Sequence, residues 1–392
     1  MNLSSVIQEL TLSLDQLGQV RDALTERIME GITCSGAEIA ALPAYLPRPE
    51  RAPQGQVLVI DIGGTNVRAA LVEMDQGQAR IVDGPVQSQV ETGREHPVSA
   101  EQFFRSQAEL ASQLKVPPLT PVGYCFSYPA ATTSDVDAKL LAWTKGIRIP
   151  DVVGTAVGAR LRRELKEQGM QPGRLVVLND TVAALLAGVS ECGADFDRFI
   201  GLIAGTGYNM AGFMPTCKVT KLDPREYRSD EIAINLEAGN FRPPFATVWD
   251  DMLDAASDNP ERQRFEKASS GFYLPFLYQT IARDIGLPLD GFDPMLGTGH
   301  LLKLALEQKD ELAQAVLNRS ARLIAAATAG FMQAMGPGRC AITVEGSRFW
   351  KDPTMVFSFA PLIEKLCHSD QKFQVCRVEY ANLFGAACAA LS

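Results

Sequence analysis

The sequence predicts an α/β protein that is built from two related halves. Its 392 residues suit two domains of ordinary size. Helix-like and strand-like segments alternate up to about residue 190, and much of the later chain has helical character. A strand, a glycine-rich turn and a second strand occur twice, in VLVIDIGGTNVRAALVE and in RFIGLIAGTGYNMAGFM. Each copy lies near the start of an α/β region, so the two copies indicate halves of similar design.

The composition is that of a globular protein with a full hydrophobic core. Hydrophobic residues make up 46% of the chain and charged residues 21%. No run is long and apolar enough to span a bilayer, and the N-terminus does not resemble a signal peptide. The net charge of −9 argues against nucleic-acid binding, which needs clustered Lys and Arg. We therefore expect neither a nucleic-acid nor a membrane partner.

The cysteines and histidines exclude several kinds of chemistry. Eight cysteines are scattered without a Cys-x-x-Cys pair, so neither a zinc site nor a redox motif is predicted. Free thiols in a reducing compartment are the simplest interpretation, and we expect a cytoplasmic protein. His96, His300 and His368 lie outside any recognisable motif. This gives little support to a Ser-His-Asp triad or a histidine-metal mechanism.

Residues 1–54 are expected to be a helix and a linker. Residues 1–32 predict one amphipathic helix, because helical spacing relates their apolar residues Leu10, Leu14, Leu17, Leu24 and Ile28. The segment LPAYLPRPERAPQGQ then holds four prolines, through which no helix can continue. It is interpreted as a linker or a crossing segment.

The first glycine-rich turn, Gly63 to Thr65, has the chemistry of an anion site. Backbone N–H groups in such turns form concave anion-binding surfaces. Asp61, just before the turn, could face a hydrated Mg²⁺, and Arg68 could reach a phosphate from the next strand. A plain hairpin without a ligand is the alternative.

The second turn, Gly205 to Gly207, strengthens the anion-site interpretation. A nucleotide held between two domains needs a donor loop from each domain. The turn is not a Walker loop, since no Gly-Lys-Ser/Thr follows the glycines. It is not a Rossmann fingerprint either, because its glycines join two strands.

Asp180 lies where the short buried strand Leu175 to Leu178 gives way to an apolar helix that starts near Thr181. An Asp at this position is an ordinary N-cap that faces the positive end of the helix dipole. This stretch alone does not decide between a capping role and a chemical role for Asp180.

Other polar side chains also follow predicted strands or sit in turns. Each is more often a solvated loop residue than a ligand. Together they suit a neutral polyhydroxylated substrate, because amides and carboxylates bind hydroxyl groups well. They are Ser127, Thr144, Lys145, Asn209 and Glu237. Late in the chain, CAITVEGS predicts a buried strand ending in a glycine turn, and YANLFGAACAALS predicts a small-residue helix.

In their order along the chain, these motifs resemble the hexokinase family of the actin-like ATPase superfamily. The matching segments are LPAYLP, VIDIGGTNVRAALV, FSYPA, WTKGIRIPDVVG, VVLNDTVAALLAG, GLIAGTGYN, AINLEAGNF and DNPERQRFEKASSGFYL. They run from about residue 42 to residue 275, well over half of the chain. The resemblance is to a short, single-unit and divergent member.

The resemblance implies a two-domain actin-like ATPase (ribonuclease H-like) fold with a cleft between a small and a large domain. Residues 1–54 would pack on the large domain. Residues 55–190 would form the small α/β domain, to which a C-terminal helix at about 377–392 would return. Residues 191–376 would form the large α/β domain.

The resemblance also implies a role for each matched residue. The protein would use ATP and Mg²⁺ to phosphorylate the 6-hydroxyl of glucose or a related hexose. Asp180 would be the catalytic base, and Lys145 would add positive charge near the phosphoryl group. Asp61 would hold Mg²⁺ through water. The sugar pocket would contain Ser127, Thr144, Lys145, Asn179, Asp180, Asn209 and Glu237. The nucleotide site would contain Asp61, Gly63, Gly64, Thr65, Asn66, Arg68, Gly205, Thr206 and Gly207.

Two departures from the family pattern leave alternatives open. Pro275-Phe276 replaces the family's Gly-Glu pair, whose Glu holds sugar hydroxyls, so the preferred hexose is open. The chain reads EYANLFG from Glu379 where the family has an acidic DGSG turn, so the phosphoryl donor is also open. A non-catalytic hexose sensor or regulatory protein is the alternative function. The sequence does not predict an oligomeric state.

Overall fold

The structure, a computed structural model, describes residues 2–50, 52–64, 66–93, 96–144, 146–223, 225 and 227–392. Two predicted site residues, Thr65 and Lys145, lie outside the described residues.

The strands are β1 (Leu42–Pro43), β2 (Gly55–Ile62), β3 (Asn66–Asp75), β4 (Gln78–Gln89), β5 (Val122–Phe126), β6 (Ala130–Thr132), β7 (Ala138–Leu140), β8 (Leu175–Leu178), β9 (Arg198–Ala204), β10 (Tyr208–Pro215), β11 (Glu231–Asn235), β12 (Gly338–Glu345) and β13 (Gln371–Cys376).

The helices precede, separate and follow these strands. They are α1 (Leu3–Leu10), α2 (Leu14–Thr33), α3 (Ala100–Ser112), α4 (Val157–Glu167), α5 (Asp180–Cys192), α6 (Val248–Ala255), α7 (Arg264–Ser269), α8 (Leu274–Asp284), α9 (Thr298–Glu307), α10 (Glu311–Met335), α11 (Ser347–Lys351), α12 (Pro353–Leu366) and α13 (Ala381–Leu391). Among the helices of the described residues, none is both long and apolar enough to cross a membrane.

Five strands of the first half form one sheet in the order β4-β3-β2-β5-β8, and β6 and β7 form a separate two-stranded sheet. Strands β2 and β3 form the predicted antiparallel hairpin, in which Asp61 lies opposite Arg68. Strand β5 pairs in parallel with both β2 and β8. The ends of β2, β5 and β8 therefore meet at one edge of this sheet.

The second sheet has the order β1-β11-β10-β9-β12-β13. It repeats the design of the first sheet: β9 and β10 form an antiparallel hairpin, and β12 pairs in parallel with β9 and β13. Each sheet therefore combines a glycine-rich hairpin with parallel strands. This confirms the prediction of two α/β halves of similar design.

Helices α5 and α13 pack against each other; α5 contacts strands of both sheets, and α13 contacts the first sheet. Their apolar side chains belong to one buried cluster, which also includes Val57 and Val59 of the first sheet and Phe199 and Ala341 of the second. The helix predicted at the C-terminus is thus α13, and it packs on β2 and β5 of the first sheet. The predicted domain boundaries near residues 54, 190 and 376 stay a prediction.

Glycines allow backbones to approach closely around α5. A methyl group on Gly385 of α13 would overlap the carbonyl oxygen of Ala183 in α5. A methyl group on Gly201 of β9 would overlap the carbonyl oxygen of Thr181 at the start of α5. Larger residues at these two positions would push α5 away from α13 and from β9.

The prediction of one helix over residues 1–32 is wrong, because the chain forms α1 and α2 with a break before Leu14. A capping box starts α2: the Ser13 N–H donates to Gln16 Oε1 at 2.8 Å, and the Gln16 N–H donates to Ser13 Oγ at 3.2 Å. Leu14, expected on the apolar face, is 43% exposed. The Ser13 signal for a helix start was present in the sequence.

The proline-rich segment crosses to the second sheet, as one of the two interpretations expected. Its residues Leu42 and Pro43 pair with Asn235 and Ile234 of β11, which makes β1 an edge strand. Pro is compatible with an edge strand because that position needs no donated ladder hydrogen bond.

We predict that Gly385→Ala lowers the free energy of unfolding by at least ~2 kcal/mol, because the added methyl group forces α5 and α13 apart. Chemical denaturation of the purified protein measures this. The matched control is Gly18→Ala in α2, where nothing lies within 4 Å of the added methyl group. That change should instead stabilise by roughly 0.5–1 kcal/mol through helix propensity. Equal effects of the two substitutions would contradict the packing argument.

We also predict a pH-dependent contribution from Lys221, whose ammonium donates to the Gly31 carbonyl at 2.6 Å and the Ala40 carbonyl at 2.5 Å. Burial lowers the pKa of Lys221 to about 8. Because the folded protein disfavours the charged form, this contribution to stability is complete above the unfolded pKa of 10.5 and is lost as pH falls through about 8.

The difference in melting temperature between the wild type and Lys221→Met should therefore change in favour of the wild type as pH rises from about 7 to about 10. The exposed Lys218 provides the control, because Lys218→Met should show no such trend. A pH-independent difference for Lys221→Met would contradict the prediction.

Candidate active site

The hydrogen bonds at the start of α5 show which residue caps this helix. The N-cap is Asn179, whose Oδ1 accepts the Thr181 N–H at 3.0 Å. Asp180 is the first residue of the helix, and its Oδ1 also accepts the Thr181 N–H, at 2.9 Å. The N-cap interpretation of Asp180 is therefore wrong, and the carboxylate stands in the first turn at the positive end of the helix dipole.

Asp61 and Arg68 form a largely buried ion pair next to the first glycine turn. Asp61 Oδ2 accepts from Arg68 Nη2 at 2.7 Å, and the side chains are 3% and 32% exposed. Burial raises the pKa of Asp61, the charge of Arg68 partly offsets this effect, and the nearby charge of Asp180 raises the pKa further. The ends of β2 and β8 thus bring Asp61 and Asp180 into one electrostatic environment.

A third carboxylate, Glu345, shares this environment, and sequence reasoning missed it. Glu345 is the last residue of β12, just before the Gly346 turn. Burial raises its pKa, Arg68 lowers it, and the charges of Asp61 and Asp180 raise it. We call Asp61, Asp180, Glu345 and Arg68 the carboxylate cluster. Its sequence signal was an acidic residue next to a glycine turn, as at Asp61.

A hydrogen-bonded chain of polar side chains joins the start of α5 to the second sheet. The Asn209 amide donates to Asn235 Oδ1 at 2.8 Å and to Thr181 Oγ1 at 3.4 Å. The Asn235 amide in turn donates to Glu237 Oε1 at 2.8 Å. Thr181 Oγ1 donates to Asn179 Oδ1. This polar network connects Asn179, Asn209 and Glu237, three of the predicted sugar-pocket residues.

The contacts of Asn209 indicate that it positions its neighbours. Its Oδ1 accepts the N–H groups of Met210 at 2.8 Å and Ala238 at 3.0 Å. With both amide hydrogens also engaged, its bonding capacity is filled within the protein. Asn235, which is 4% exposed, was not among the predicted site residues. The sequence signal for Asn235 was an amide side chain at the end of an apolar strand, because a buried amide needs hydrogen-bond partners.

Ser127 and the first glycine turn lie side by side. The Ser127 N–H donates to the Ile62 carbonyl at 3.1 Å, and the Tyr128 hydroxyl donates to the Gly63 carbonyl at 2.5 Å. The Gly63 N–H closes the turn on the Asn66 carbonyl at 3.0 Å. Thr144 is half-buried, and the described contacts do not connect it to the carboxylate cluster.

The second turn is held by the segment between α7 and α8. The Gly271 N–H donates to the Gly205 carbonyl at 2.8 Å, and the Phe272 N–H donates to the Thr206 carbonyl at 3.0 Å. A methyl group on Gly271 would lie 2.7 Å from the Gly205 oxygen, and one on Gly346 would lie 2.5 Å from the Ala204 oxygen. The glycine turns around 205, 271 and 346 therefore form one backbone-lined surface.

Arg348, which was not among the predicted site residues, forms hydrogen bonds that hold the backbone just before the Gly271 turn. Its guanidinium donates to the Ser269 carbonyl at 2.6 Å and to Ser320 Oγ at 2.9 Å, while Ser320 Oγ donates to the same carbonyl at 2.6 Å. Burial lowers the pKa of Arg348 to about 10, and the charge of Asp352 partly offsets this. Nothing in the sequence distinguishes Arg348 from a surface arginine.

Position 276 contributes an aromatic contact where the family pattern has a carboxylate. The rings of Phe276 and Phe272 lie 5.5 Å apart between centroids, and Phe276 is partly buried in an apolar cluster. A carboxylate is present nearby: Glu266 lies 3.4 Å from a methyl position on Gly207 and 2.9 Å from one on Gly239. Glu266 therefore points between the second turn and the segment that follows Glu237.

The cluster fits a hydrated Mg²⁺ better than a directly ligated metal. Asp61 Oδ1 is buried and has no N–H or O–H hydrogen-bond partner in the described part of the chain. Within that part, no group of three or more His, Cys, Asp or Glu side chains is arranged to hold a metal ion. Mg²⁺ commonly keeps several waters and uses one or two carboxylates. A water of such an ion would supply the partner that Asp61 Oδ1 lacks.

The chain superimposes on hexokinase from Schistosoma mansoni complexed with glucose with a TM-score of 0.84, 24% identity and coverage of 99% and 97% of the two chains. A ROK family glucokinase from Streptomyces griseus, in complex with glucose and AMPPNP, matches with a TM-score of 0.56, 20% identity and coverage of 85% and 98%. The protein has the two-domain actin-like ATPase fold.

Two family models, both described as Hexokinase, match residues 2–189 and residues 199–286 with 295–392. The chain belongs to the hexokinase family. It is 33% identical to Hexokinase-1 of Spinacia oleracea over 278 residues, which cover 67% of this chain and 55% of that protein. It is 30% identical to Hexokinase-3 of Mus musculus over 287 residues, which cover 69% of this chain and 30% of that protein. The chain thus spans about half or less of the length of these relatives.

We predict that Arg348→Met loosens the second glycine turn. Losing a hydrogen bond to a charged group costs about 1.5–3 kcal/mol, which corresponds to at least a tenfold change in an opening equilibrium. Amide hydrogen exchange should therefore accelerate at Gly271 and Phe272 by roughly tenfold or more. The matched control is Arg319→Met, since Arg319 is equally buried but pairs with Asp250 at 2.6 Å. Faster exchange at Gly271 in the control, or none in Arg348→Met, would contradict the assignment.

Proposed function

We propose that the protein is an ATP-dependent hexose kinase, which transfers the terminal phosphoryl group of ATP to the 6-hydroxyl of glucose or a related hexose. The observation that carries the proposal is the position of Asp180. It starts α5 beside Asp61, Glu345 and Arg68, and Asn179 next to it joins the polar network. Family membership and the glucose-bound fold neighbours support the same activity.

The proposed reaction needs a base that acts late. Phosphoryl transfer passes through a loose transition state, so catalysis depends mainly on positioning and on neutralising charge. Asp180 accepts the proton of the sugar hydroxyl as the bond to phosphorus forms. Its place in the first helical turn orients the carboxylate, because the Thr181 N–H holds Oδ1 at 2.9 Å.

The sugar pocket is proposed to use the polar network. Glu237 and Asn179 bind hydroxyl groups, while Asn209 and Asn235 hold these two side chains in place. Ser127 contributes from the edge of the first sheet. Thr144 and Lys145 complete the pocket by resemblance to the family. A site built to bind hydroxyls rejects analogues that lack them, because its buried polar groups are then left unpaired.

The phosphate site is proposed to form between the two glycine-rich turns. The first turn contributes Gly63 and Gly64, with Asn66 at the start of β3, and the second turn contributes Gly205, Thr206 and Gly207. Thr65 is included by resemblance. Asp61 would hold Mg²⁺ through water, and the ion would neutralise negative charge on the phosphates. The guanidinium of Arg68, which pairs with Asp61, is proposed to interact with the negative charge of the same phosphates.

Domain closure around the sugar is part of the proposal. The small domain would comprise residues 55–190 with the returning helix α13, and the large domain residues 191–376. Closure would exclude water, which competes with the sugar for the phosphoryl group. The cytoplasmic location stays a prediction that rests on the scattered cysteines.

One observation favours a second candidate function, a non-catalytic hexose sensor. Phe276, whose ring packs against Phe272, stands where the family pattern has a Glu that binds the sugar. A sensor can tolerate that loss, but it has no need of Asp180, Asp61 or the two phosphate turns. The presence of these groups makes the kinase the better supported function.

Incubation with Mg-ATP and glucose, mannose, fructose or N-acetylglucosamine tests the proposal by ADP release. We expect sugar-dependent ADP with at least one hexose. Asp180→Asn should lower kcat by about 10²–10⁴-fold, because it removes the base. Sugar affinity by calorimetry should change little, because the side chain keeps its size and one amide oxygen.

Asp75→Asn is the matched control, since Asp75 is exposed at the opposite end of β3 from the first turn. It should retain full turnover. Sugar binding without sugar-dependent ADP in the wild type would establish the sensor instead. Full turnover by Asp180→Asn would show that another group is the base.

A further inference from the structure

Two cysteines from distant parts of the sequence meet outside the proposed active site. Cys192 ends α5, Cys376 ends β13, and their sulfur atoms are 3.1 Å apart although 184 positions separate the residues. Both are free thiols. A disulfide bond is ~2.05 Å long, so a displacement of about 1 Å would join them.

The surrounding packing holds this thiol pair in place. Helix α5 lies directly on the second sheet, because a side chain on Gly188 would overlap Thr343 of β12 and one on Gly201 would overlap the Thr181 carbonyl. Strand β13 pairs along its length with β12. The two sulfur atoms are thus carried by elements that are fixed relative to each other, so their proximity does not depend on a mobile loop.

The pair is reached from outside through Cys192. Cys192 is partly exposed, whereas Cys376 is buried at 9% exposure and Cys125 and Cys388 are fully buried. A small oxidant can therefore reach one sulfur of the pair without unfolding of the protein. Cytosolic disulfides in proteins are usually transient and redox-sensing, and such pairs are expected to be reversible.

We propose that Cys192 and Cys376 form a reversible oxidation site, at which a hydroperoxide converts the two thiols into a disulfide. The proposal is independent of the proposed kinase activity, because it depends only on the positions of the two sulfur atoms.

The chemistry balances with one hydroperoxide per disulfide. The thiolate of one of the two cysteines attacks the terminal peroxide oxygen, the O–O bond breaks, and the alcohol (or water) leaves with a proton. The resulting sulfenic acid is attacked by the sulfur of the other cysteine, the S–O bond breaks, the S–S bond forms and water leaves. The two sulfurs are oxidised by two electrons in total and the peroxide is reduced by two.

The contact between the two sulfurs does not fix the order of attack, because either thiol can donate the hydrogen bond. Either sulfur can therefore attack the peroxide first, and the disulfide that forms is the same in both orders.

The disulfide would lie at the far end of α5 from Asp180. It would close a long loop in the unfolded chain and so stabilise the folded protein. Because Cys192 is the last residue of α5 and Asp180 the first, oxidation should leave the basal sugar-dependent turnover within about twofold.

The test starts from the fully reduced chain, which is treated with stoichiometric hydrogen peroxide, alkylated at its remaining thiols and digested. Mass spectrometry should identify a linked peptide that contains Cys192 and Cys376. The melting temperature should rise on oxidation and return to the reduced value after dithiothreitol. Recovery of both cysteines in alkylated form, with oxidation only at the exposed Cys34 and Cys217, would overturn the proposal.

Variants separate this disulfide from other thiol chemistry. Cys192→Ser should abolish the rise in melting temperature, while the control Cys34→Ser, at an exposed thiol, should retain it. A rise that persists in Cys192→Ser would also overturn the proposal. The linked-peptide experiment uses the wild-type chain, so it decides the question even if Cys192→Ser folds poorly.

Discussion

The contact of α5 with its surroundings is the constraint on which the rest of the structure depends. Its backbone touches Gly201 of the second sheet and Gly385 of α13, with no room for a methyl group at either glycine. Its side chains share one buried cluster with both sheets. Since Asp180 is the first residue of this helix, the packing that joins the two halves also sets the position of the proposed base.

The proposed site is assembled from the ends of strands in both sheets. Asp61 comes from β2, Glu345 from β12 and Asp180 from the start of α5. The charge of Asp180 raises the pKa of Asp61, and the charges of Asp61 and Asp180 raise the pKa of Glu345, against the opposing effect of Arg68. Such an arrangement concentrates negative charge where a hydrated cation would be bound. The backbone turns that flank it have few side chains, which leaves their surface open to phosphate.

Local patterns in the sequence correctly predicted several local structures. The two strand-turn-strand units, the strand before Asn179 and the C-terminal helix were predicted from hydrophobic periodicity and glycine position. These patterns did not reveal the break at Ser13, whose capping box with Gln16 divides the supposed single helix. They also left capping open as a role for Asp180, although Asn179 caps α5, because two adjacent acceptors cannot be told apart from sequence.

The sequence by itself determined the α/β class, the two related halves and the motifs of the hexokinase family, because each depends on residues close together in the chain. Only the tertiary structure brought Glu345 to Asp61, Asn235 to Asn209, and Arg348 under the second turn. It also brought Cys192 to Cys376. These contacts join residues from different elements, and their existence depends on how helices and sheets pack, which no local pattern encodes.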